Sequence, residues 1–342
     1  MLTRPYSIKF FTIRPHMKKI LIIRFSSIGD IIFTTSVIEG LKDNFDCQID
    51  FLTLSTFAPI LESNPYINKI ISLPKNFNLK DLIKFGLLLN SKGYTIVYDL
   101  HGSLRSKIIT MVMKNSCLKR FKKPRLKRFL LFYLKINLFK KNYELTEELL
   151  NFVDIEKKYY PKTYANQLEI KKCQNWLIER NVSQPFITLV PGSAWSNKLW
   201  KIENYKKFLN NVPYNVVVLG SKKDSICKDI SDDFNHVTNL QGLTDLRTSI
   251  LILKLSKTVI GADTGLLHAA ESLGIPIIML SGPTSNYTGG NIRLSGSLQL
   301  YSNVWCRPCS KNGSRNCFRT ERFCLTRITP ETLNNALINI LN

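Results

Sequence analysis

One stretch near the start of the chain decides the fold, KKILIIRFSSIGD (residues 18–30). Its short apolar run predicts a buried strand over residues 19–24. The small residues that follow predict a tight turn, and the next apolar segment predicts a helix over 31–42. A strand, a turn and a helix in this order form the first unit of a parallel sheet covered by helices.

The same alternation continues along the chain and occurs twice. The predicted strands cover residues 47–54, 69–73, 95–100, 186–190, 215–219, 258–262 and 275–280. The predicted helices cover residues 58–62, 79–90, 202–209, 224–231, 265–273 and 330–341. The pattern predicts an α/β fold with two Rossmann-like domains facing across a cleft, joined near 160–170. Ligands of such sheets bind at the carboxyl ends of the strands.

This pattern also sets the expected domain boundaries. The N-terminal domain covers residues 17–165, the C-terminal domain covers 166–330, and a helix at 331–342 ends the chain. Residues 1–16 have no sustained apolar core and no cleavage pattern, so they do not predict a signal peptide. Because Met17 directly precedes the first strand, we expect it to be the true start and 1–16 to be a disordered or mis-assigned extension.

The composition is that of a globular protein with an unusual charge. The 342 residues are 44% hydrophobic, with a mean hydropathy of −0.05 and a net charge of +23. This composition excludes disorder as the main state, and no apolar run reaches the ~18 residues of a membrane span. The charge predicts an anionic partner, such as a nucleic acid, a lipid headgroup or a phosphorylated ligand.

The positive charge is concentrated between Asp99 and Glu144, an interval without any acidic residue. Apolar and aromatic residues are interleaved with the basic ones. Such a pattern is typical of a surface that meets anionic lipid or a phosphorylated ligand, although a solvated helix packed on the core would also produce it. The expected basic face consists of Arg105, Lys119, Arg120, Lys122, Lys123, Arg125, Lys127 and Arg128.

Four of the eight cysteines are clustered near the end of the chain, at Cys306, Cys309, Cys317 and Cys324. Four thiols that begin with a CxxC pair suit a tetrahedral structural Zn or Fe site, in which no position stays open for catalysis. Free or redox-active thiols and two disulfides are the alternatives.

Three segments that follow predicted strands carry candidate chemistry. In the first, Asp30 lies at a helix start on the carboxyl edge of the sheet, where it is either an active-site carboxylate or only a helix cap. In the second, Ser193 and Lys198 supply a hydroxyl and a charge suited to a diphosphate. We expect Trp195 and Trp200, in the same segment, to be packing residues.

The third segment places Asp263 at a strand end and Thr264-Gly265 at the following helix start. The amides at this helix N-terminus would face an anion. His268 lies one turn further on the same face, and Gly274 is a candidate left-handed C-cap. After the next strand, Thr284 lies in another loop suited to a ligand.

Together these segments resemble the ADP-heptose:lipopolysaccharide heptosyltransferases, glycosyltransferase family 9, which have the GT-B fold. The resemblance runs from Met17 to the C-terminus. Its most specific parts are residues 26–30, residues 263–268 with 282–284, and the cysteine cluster before 328–330.

The resemblance implies roles for individual residues. Asp30 would be the base that deprotonates the acceptor hydroxyl, and Lys198 would neutralise the leaving diphosphate. The implied donor contacts are Asp224 at the ribose, Leu243 in the adenosine pocket, Asp263 at the sugar, and Thr264, Gly265 and His268 at the phosphate-binding helix start. Two positions depart from the family pattern: Ala194 stands where some members have a hydroxyl residue, and Asp224 stands in place of a glutamate. These departures leave the exact donor sugar open but not the glycosyl transfer.

The resemblance also implies an inverting reaction without a catalytic metal. The donor would be ADP-heptose or a related nucleotide sugar, and the acceptor an anionic lipid A-core. The basic face would then hold this acceptor or the inner leaflet, which places the protein in the cytoplasm, peripheral at the inner face of the cytoplasmic membrane.

Three alternatives remain at this point. One is a transferase of the same fold with another nucleotide sugar or a protein acceptor, and another is a sugar-nucleotide epimerase. The third is a four-cysteine nucleic-acid-binding protein. Since the sequence contains no recognisable stacking platform or groove-reading helix, we expect no specific nucleic-acid partner.

Overall fold

The computed structural model describes residues 17–341. The extension expected at residues 1–16 lies outside this range. No helix of the described part of the chain has the length and apolar content to cross a membrane.

The first half of the chain forms one parallel sheet with its helices. In chain order its elements are β1 (Lys18–Ile23), α1 (Ile28–Asn44), β2 (Cys47–Leu54), a 3-10 helix (Ser55–Ile60), β3 (Lys69–Leu73), α2 (Leu79–Asn90), β4 (Ile96–Asp99), α3 (Leu104–Met111), β5 (Cys117–Arg120), α4 (Arg125–Phe129), a π-helical turn (Leu130–Leu134) and α5 (Leu145–Phe152). The strand order is β3-β2-β1-β4-β5. Ile22 of β1 pairs with Phe51 on one side and Tyr98 on the other.

The second half repeats this architecture. Its elements are α6 (Gln167–Ile178), β6 (Phe186–Val190), a 3-10 turn (Ser196–Lys198), α7 (Ile202–Leu209), β7 (Asn215–Val218), α8 (Ile226–Ser231), β8 (Val237–Asn239), α9 (Leu246–Leu255), β9 (Val259–Ala262), α10 (Gly265–Ser272), β10 (Ile277–Ser281), a 3-10 turn (Asn286–Thr288), β11 (Leu298–Tyr301), α11 (Phe323–Thr326) and α12 (Pro330–Leu341). The strands are parallel in the order β11-β10-β9-β6-β7-β8.

The two halves share a continuous core. Helix α1 is buried on most of its surface because it lies between its own sheet and α10 of the second half. Ile31 and Ile38 of α1 and Leu267 and Ala270 of α10 belong to one buried cluster. The hydroxyls of Thr34, Thr35 and Ser36 donate to backbone carbonyls of the same helix, so burying them leaves no hydroxyl donor unpaired.

The two parallel sheets confirm the predicted α/β fold class, and most predicted strands and helices are present. The predicted helix at residues 58–62 is instead the 3-10 helix Ser55–Ile60. Several elements were not predicted at all: α3, β5, α5, α6, β8, α9 and β11. Of these, α6 begins inside the expected joint near 160–170 and packs on α9. The exact domain boundaries stay predictions.

Candidate active site

A cleft of about 450 Å³ lies between the carboxyl ends of the two sheets. Both halves line it, because each parallel sheet directs its carboxyl-end loops to the same side. Of the predicted site residues, the structure brings together Asp30 and Lys123 from the first half with Ser193, Lys198, Asp263, Thr264, Gly265 and His268 from the second.

Asp30 both caps α1 and faces this cleft. Ser27 is the N-cap residue of α1, and its backbone N–H and its hydroxyl lie 3.4 and 3.3 Å from Oδ2 of Asp30. The Nη2 atom of Arg24 lies 2.5 Å from the same oxygen. Among the described residues no hydrogen bond reaches Oδ1, so this oxygen is available to a ligand. The capping and active-site interpretations of Asp30 are therefore compatible.

The charge of Asp30 is set by two opposing influences. Burial on its own would raise the pKa of this carboxyl group, but the positive charges of Arg24 and Lys311 lower it more. The net result is a pKa below the ordinary value of aspartate. Asp30 is thus a carboxylate at neutral pH, the form that can accept a proton.

Arg24 is fixed more firmly than a surface arginine. Its side chain is buried, its Nε donates to the carbonyl of Ser26 at 3.0 Å, and its Nη1 donates to the carbonyl of Leu100. These carbonyls follow β1 and β4, so the strand ends themselves orient the guanidinium toward Asp30. Sequence reasoning missed this role. The available signal was a charged residue ending an otherwise apolar strand.

A buried network surrounds Asp263 on the opposite wall. Nζ of Lys198 donates to the backbone carbonyl of Asp263 at 2.6 Å and to its Oδ2 at 3.0 Å. Thr284 donates to Oδ2 at 2.5 Å, and Nε2 of His268 lies 3.3 Å from Oδ1. The Lys198 ammonium has three donors and two are used here, so one is left for a ligand.

The same network keeps Asp263 ionised. Burial alone would raise the pKa of this carboxyl group, but Lys198, His268 and Thr284 together hold it well below the usual range. A carboxylate offers about four acceptor positions, and three are occupied by these side chains. The structure therefore brings together four predicted residues around one remaining acceptor position.

The N-termini of α1 and α10 meet at two glycines. A Cβ on Gly265 would lie 2.4 Å from Cβ of Ile28, and one on Gly29 would lie 3.1 Å from the His268 ring. Thr264 is the N-cap residue of α10. Thr264 and Gly265 line the cleft, and the backbone amides in the first turn of a helix, which have no partner within the helix, are suited to an anion.

The remaining predicted donor residues lie beside the cleft rather than in its lining. Asp224 accepts hydrogen bonds at 2.7 Å from the backbone N–H and the hydroxyl of Ser221. Its carboxyl carbon would lie 2.5 Å from a Cβ on Gly192, which places it next to Ser193. Leu243 is 63% exposed in the loop after β8. Both residues lie in loops that follow strands of the second sheet, Asp224 after β7 and Leu243 after β8.

The expectation for the two tryptophans is half right. Trp200 is buried, and its indole N–H donates to the carbonyl of Ile328 at 3.0 Å. Trp195 is instead 40% exposed and lines the cleft. Trp195 therefore contributes to the cleft wall and not to the buried core.

The predicted basic face is not one continuous surface. Arg120 donates to the buried Asp99 at 2.7 Å, and Arg128 is itself buried. Lys123 is turned inward, donates to the carbonyl of His101 at 2.5 Å and lines the cleft. The inward-facing basic residues of this segment bond to polar groups at strand ends or line the cleft. A count of charges along the sequence does not show which residues face inward.

The other members of the predicted face lie outside the cleft. Lys119 pairs with Asp154 at 2.7 Å, and Arg105 donates to the carbonyl of Lys75. The exposed members Lys122, Arg125 and Lys127 are accompanied by exposed apolar residues. The latter are Leu126, Phe129, Tyr133, Leu134, Ile136 and Leu138.

The cleft lining also includes residues that were not predicted, among them the ionisable residues His101 and Lys311. Burial, together with the nearby charges of Arg24 and Lys123, lowers the pKa of His101 to about 4, so this imidazole is neutral. Burial also lowers the pKa of Lys123, to about 8. Lys311 comes from the segment that carries the cysteine cluster, and nothing in its immediate sequence marks it as a cleft residue.

The four clustered cysteines lie close together in space. In the described part of the chain, no group of three or more histidine, cysteine or acidic side chains is arranged to hold a metal ion. All four thiols are free. Burial raises the pKa of Cys309 and raises that of Cys324 to about 11, with smaller contributions from the other thiols of the cluster.

Comparisons with known proteins point to one family. The family description "Glycosyltransferase family 9 (heptosyltransferase)" matches residues 82–317. Lipooligosaccharide heptosyltransferase 2 of Haemophilus influenzae is 28% identical over 293 residues, which cover 78% of this chain and 84% of that protein.

Two solved structures share the fold. The glycosyl transferase family 9 protein of Veillonella parvula superposes with a TM-score of 0.79 at 17% identity, covering 95% of this chain and 97% of that one. The E. coli ADP-heptose lipopolysaccharide heptosyltransferase II has a TM-score of 0.76 at 21% identity, covering 94% and 98%. These likenesses confirm the predicted GT-B architecture.

Proposed function

The chain belongs to glycosyltransferase family 9, and we propose that this glycosyltransferase moves a heptose from ADP-heptose to an anionic acceptor of the lipopolysaccharide inner core, with inversion at the anomeric carbon. One observation carries the proposal. Asp30 faces the Lys198–Asp263 pair and the N-terminus of α10 across a single cleft. A base on one wall and an anion-binding site on the other are what transfer from a nucleotide sugar needs.

The donor binds to the second half in this proposal. Its diphosphate lies at the N-terminus of α10, where the Thr264–Gly265 amides, the Ser193 hydroxyl and the third donor of Lys198 meet it. The sugar contacts the open acceptor position of Asp263. The nucleoside extends past Asp224 toward the exposed Leu243, whose apolar side chain suits a base.

The acceptor binds against the first half. Oδ1 of Asp30 takes the proton of the acceptor hydroxyl while the hydroxyl oxygen bonds to the anomeric carbon of the donor sugar. The bond from that carbon to the β-phosphate oxygen breaks, and ADP leaves with the electron pair. General-base catalysis of this kind contributes roughly 10²–10⁴-fold to the rate.

The charge that develops on the leaving diphosphate is met by groups already in place. Lys198 is held by Asp263, so its ammonium needs little reorganisation during the reaction. Because the Asp263 carboxylate is engaged with Lys198, Thr284 and His268, we assign the neutralising role to Lys198 and the α10 amides, without a catalytic metal.

The experiment that tests the proposal is the substitution Asp30→Asn. The variant should bind ADP-heptose as tightly as the wild type, because Asp30 lies on the acceptor side, and its kcat should fall by about 10²-fold or more. Turnover and donor affinity are measured separately, with ADP- and UDP-hexoses as competing donors. Near-normal turnover of the variant would show that Asp30 is not the base. Preferential use of an ADP- or UDP-hexose would show that the transferred sugar is a hexose and not a heptose.

We also propose that the exposed part of the basic segment holds the protein against the inner leaflet of the cytoplasmic membrane. Leu126 and Phe129 are 70% and 52% exposed beside Lys122, Arg125 and Lys127. Apolar side chains flanked by cations bind anionic lipid surfaces. The double substitution Leu126→Ser, Phe129→Ser should weaken co-sedimentation with phosphatidylglycerol vesicles, while transfer to a lipid-free acceptor is retained.

A structural Zn or Fe ion at Cys306, Cys309, Cys317 and Cys324 remains a proposal that rests on the spacing of these residues. No step of the transfer depends on it. Elemental analysis of protein purified under reducing conditions tests it, and a ratio near one metal per chain would support a bound ion.

A further inference from the structure

The cysteine loop, residues 306–324, contacts both halves of the molecule. Although it belongs to the second half in sequence, Lys135 of the first half donates to the carbonyls of Cys306 and Pro308 at 2.7 and 3.0 Å. In the other direction, Nη1 of Arg315 donates to the carbonyl of Phe132 at 3.1 Å. Its guanidinium also lies 4.5 Å from the centre of the Tyr133 ring. The loop therefore bridges the two halves.

The same loop is fixed to the turn that carries Lys198. The side-chain amide of Asn197 donates to the carbonyls of Gly313 and Arg315 at 3.2 and 2.9 Å. A Cβ on Gly313 would lie 2.9 Å from Cγ of Lys198. Since Lys198 is held by Asp263, the position of the cysteine loop is coupled to the donor site.

Between these two anchors the loop places Lys311 in the cleft. Lys311 lines the cleft together with Asp30, Arg24 and Lys123, and it lines a small adjoining cavity together with Arg128. Within the described residues, its ammonium makes no hydrogen bond or ion pair. Arg128 is buried, and its Nε has no partner there either.

The charges at this end of the cleft do not balance. Arg24, Lys123, Arg128 and Lys311 surround one carboxylate, Asp30. Arg24 is paired with Asp30, so within the described residues the other three cations have no carboxylate partner. Holding such cations close together in a partly desolvated site is unfavourable, and an oxyanion that bonds to several of them removes the imbalance. Of the four, Lys311 is the cation contributed by the second half, so an oxyanion here would be held from both sides.

We propose that Lys311, together with Lys123 and Arg128, binds an oxyanion of the acceptor, a phosphate or a sugar carboxylate close to the hydroxyl that Asp30 deprotonates. This inference rests on the proposed function, because it takes the acceptor to lie at Asp30. It makes the cysteine loop a part of the acceptor site, and it makes Lys311 a residue that selects acceptors carrying an oxyanion next to the reacting hydroxyl.

The first test compares Lys311→Gln, Lys311→Arg and the wild type. Lys311→Gln should raise the KM for the acceptor by about ten- to a hundredfold, the effect of losing a hydrogen bond to a charged group. The KM for ADP-heptose should stay within about twofold of the wild-type value, and Lys311→Arg should restore most of the acceptor affinity. Lys172→Gln, which removes an exposed cation on α6, is the matched control and should change neither constant. A rise in the donor KM instead would overturn the proposal.

The second test uses two modified acceptors, one without its phosphates and one with its carboxylates reduced. The acceptor that lacks the bound oxyanion should be used equally well by wild type and Lys311→Gln, because the partner of Lys311 is missing. The arm in which the difference vanishes identifies the group as phosphate or carboxylate. An equal penalty with both modified acceptors would show that Lys311 acts on the fold and not on the substrate.

A third test does not depend on which sugar is transferred. With ADP saturating the donor site, calorimetry should detect binding of inorganic phosphate to the wild-type protein, and Lys311→Gln should weaken it about tenfold. Equal phosphate affinities would reject the oxyanion site. Failure of the proposed function alone, with no heptose transferred by the wild type, would leave this difference in phosphate affinity intact.

Discussion

At the scale of single residues, the Arg24–Asp30 pair sets the protonation state of the carboxylate that we propose as the base. Arg24 is held by two strand-end carbonyls, and it keeps Asp30 ionised despite the partial burial of the carboxylate. A base in the proposed reaction must be deprotonated, so Arg24 determines the lowest pH at which Asp30 can accept a proton. Arg24 is a positioning residue in this role, since it acts through Asp30.

The first prediction concerns Arg24→Gln. Removing the charge leaves burial as the main influence on Asp30, so its pKa rises. The acid limb of the kcat/KM profile should move to higher pH by about one unit or more. Arg24→Lys, which keeps a positive charge, should move it less. An unchanged profile for Arg24→Gln would mean that another group controls this limb.

Which site residues were predictable depends on how far each one lies from a strand end. Asp30, Lys198 and Asp263 directly follow strands or strand-end turns, and the rule that ligands bind at carboxyl ends located them. Lys311 approaches Asp30 from 281 positions away along the chain, through a loop without regular structure. Only the three-dimensional path of that loop brings the two together.

At the scale of elements, the contact between α1 and α10 joins the two walls of the cleft. Gly265 and Gly29 allow the helix N-termini to approach until backbone meets side chain. The functional ends of both helices, with Asp30 on one and Thr264 on the other, are positioned by this contact. Close approach, and not backbone flexibility, is the reason for glycine at these positions.

The second prediction compares two glycine substitutions. Gly265→Ala should lower the stability by about 1–3 kcal/mol, because its Cβ overlaps Ile28 and forces the helices apart. Gly274→Ala lies at a positive φ of 80° with nothing within 4 Å of the new Cβ, so it should cost a similar 1–2 kcal/mol through the backbone alone. Thermal unfolding and kcat are measured for both. Gly265→Ala should lose activity and Gly274→Ala should keep it. Equal kcat values for the two variants would show that catalysis does not depend on the contact between α1 and α10.

The elements that sequence reasoning missed had weak or ambiguous patterns. Helix α9 contains the run SILILKL, whose apolar residues fit a buried strand as well as a helix. Half of the residues of helix α6 are polar, which weakens its apolar pattern, although its capping box of Asn166 and Glu169 was a usable signal. Strand β5 is a short segment with basic residues at its end, so it lacks the apolar alternation that marks a strand.

At the scale of the whole molecule, a further contact ties the two halves together. Arg247 of α9 donates to both carboxylate oxygens of Glu169 at 3.0 and 2.8 Å. It also donates to the hydroxyl of Ser63 and the carbonyl of Pro59 in the first half. The hydrogen bonds from Arg247 lower the pKa of Glu169 to about 2.

The third prediction is a pH dependence of stability. The pKa of Glu169 is depressed in the folded protein, so its stabilising effect is complete above the ordinary glutamate pKa of 4.5 and is lost as the pH falls toward 2. Arg247→Ala should lower the free energy of unfolding by about 2–3 kcal/mol at pH 7 and flatten its decline between pH 4.5 and 2.

Denaturant unfolding at several pH values measures this dependence. Lys206→Ala, whose partner Asp233 is exposed, is the control and should leave the pH dependence unchanged. A wild-type stability that stays constant between pH 4.5 and 2 would contradict the role of the Arg247–Glu169 pair.

The architecture was largely predictable because alternating strands and helices leave a strong periodic pattern over many residues. The positions of the basic side chains between residues 105 and 128 could not be predicted in this way. Arg120 and Arg128 turn inward to meet partners from other elements, whereas Lys122 and Lys127 stay outside. A run of like charges does not record which members face the interior, because that depends on the neighbouring elements.

The bridging position of the cysteine loop has a consequence for engineering. Enzymes with two sheet domains can be recombined by fusing the first half of one homologue to the second half of another. In this chain the fusion point would be the joint near residue 165. Here such a fusion would separate Lys135 and Phe132 from their partners in the loop and would bring in a foreign residue at position 311. A chimera that is to keep the proposed role of Lys311 in acceptor binding should therefore take residues 306–324 from the same parent as residues 17–165.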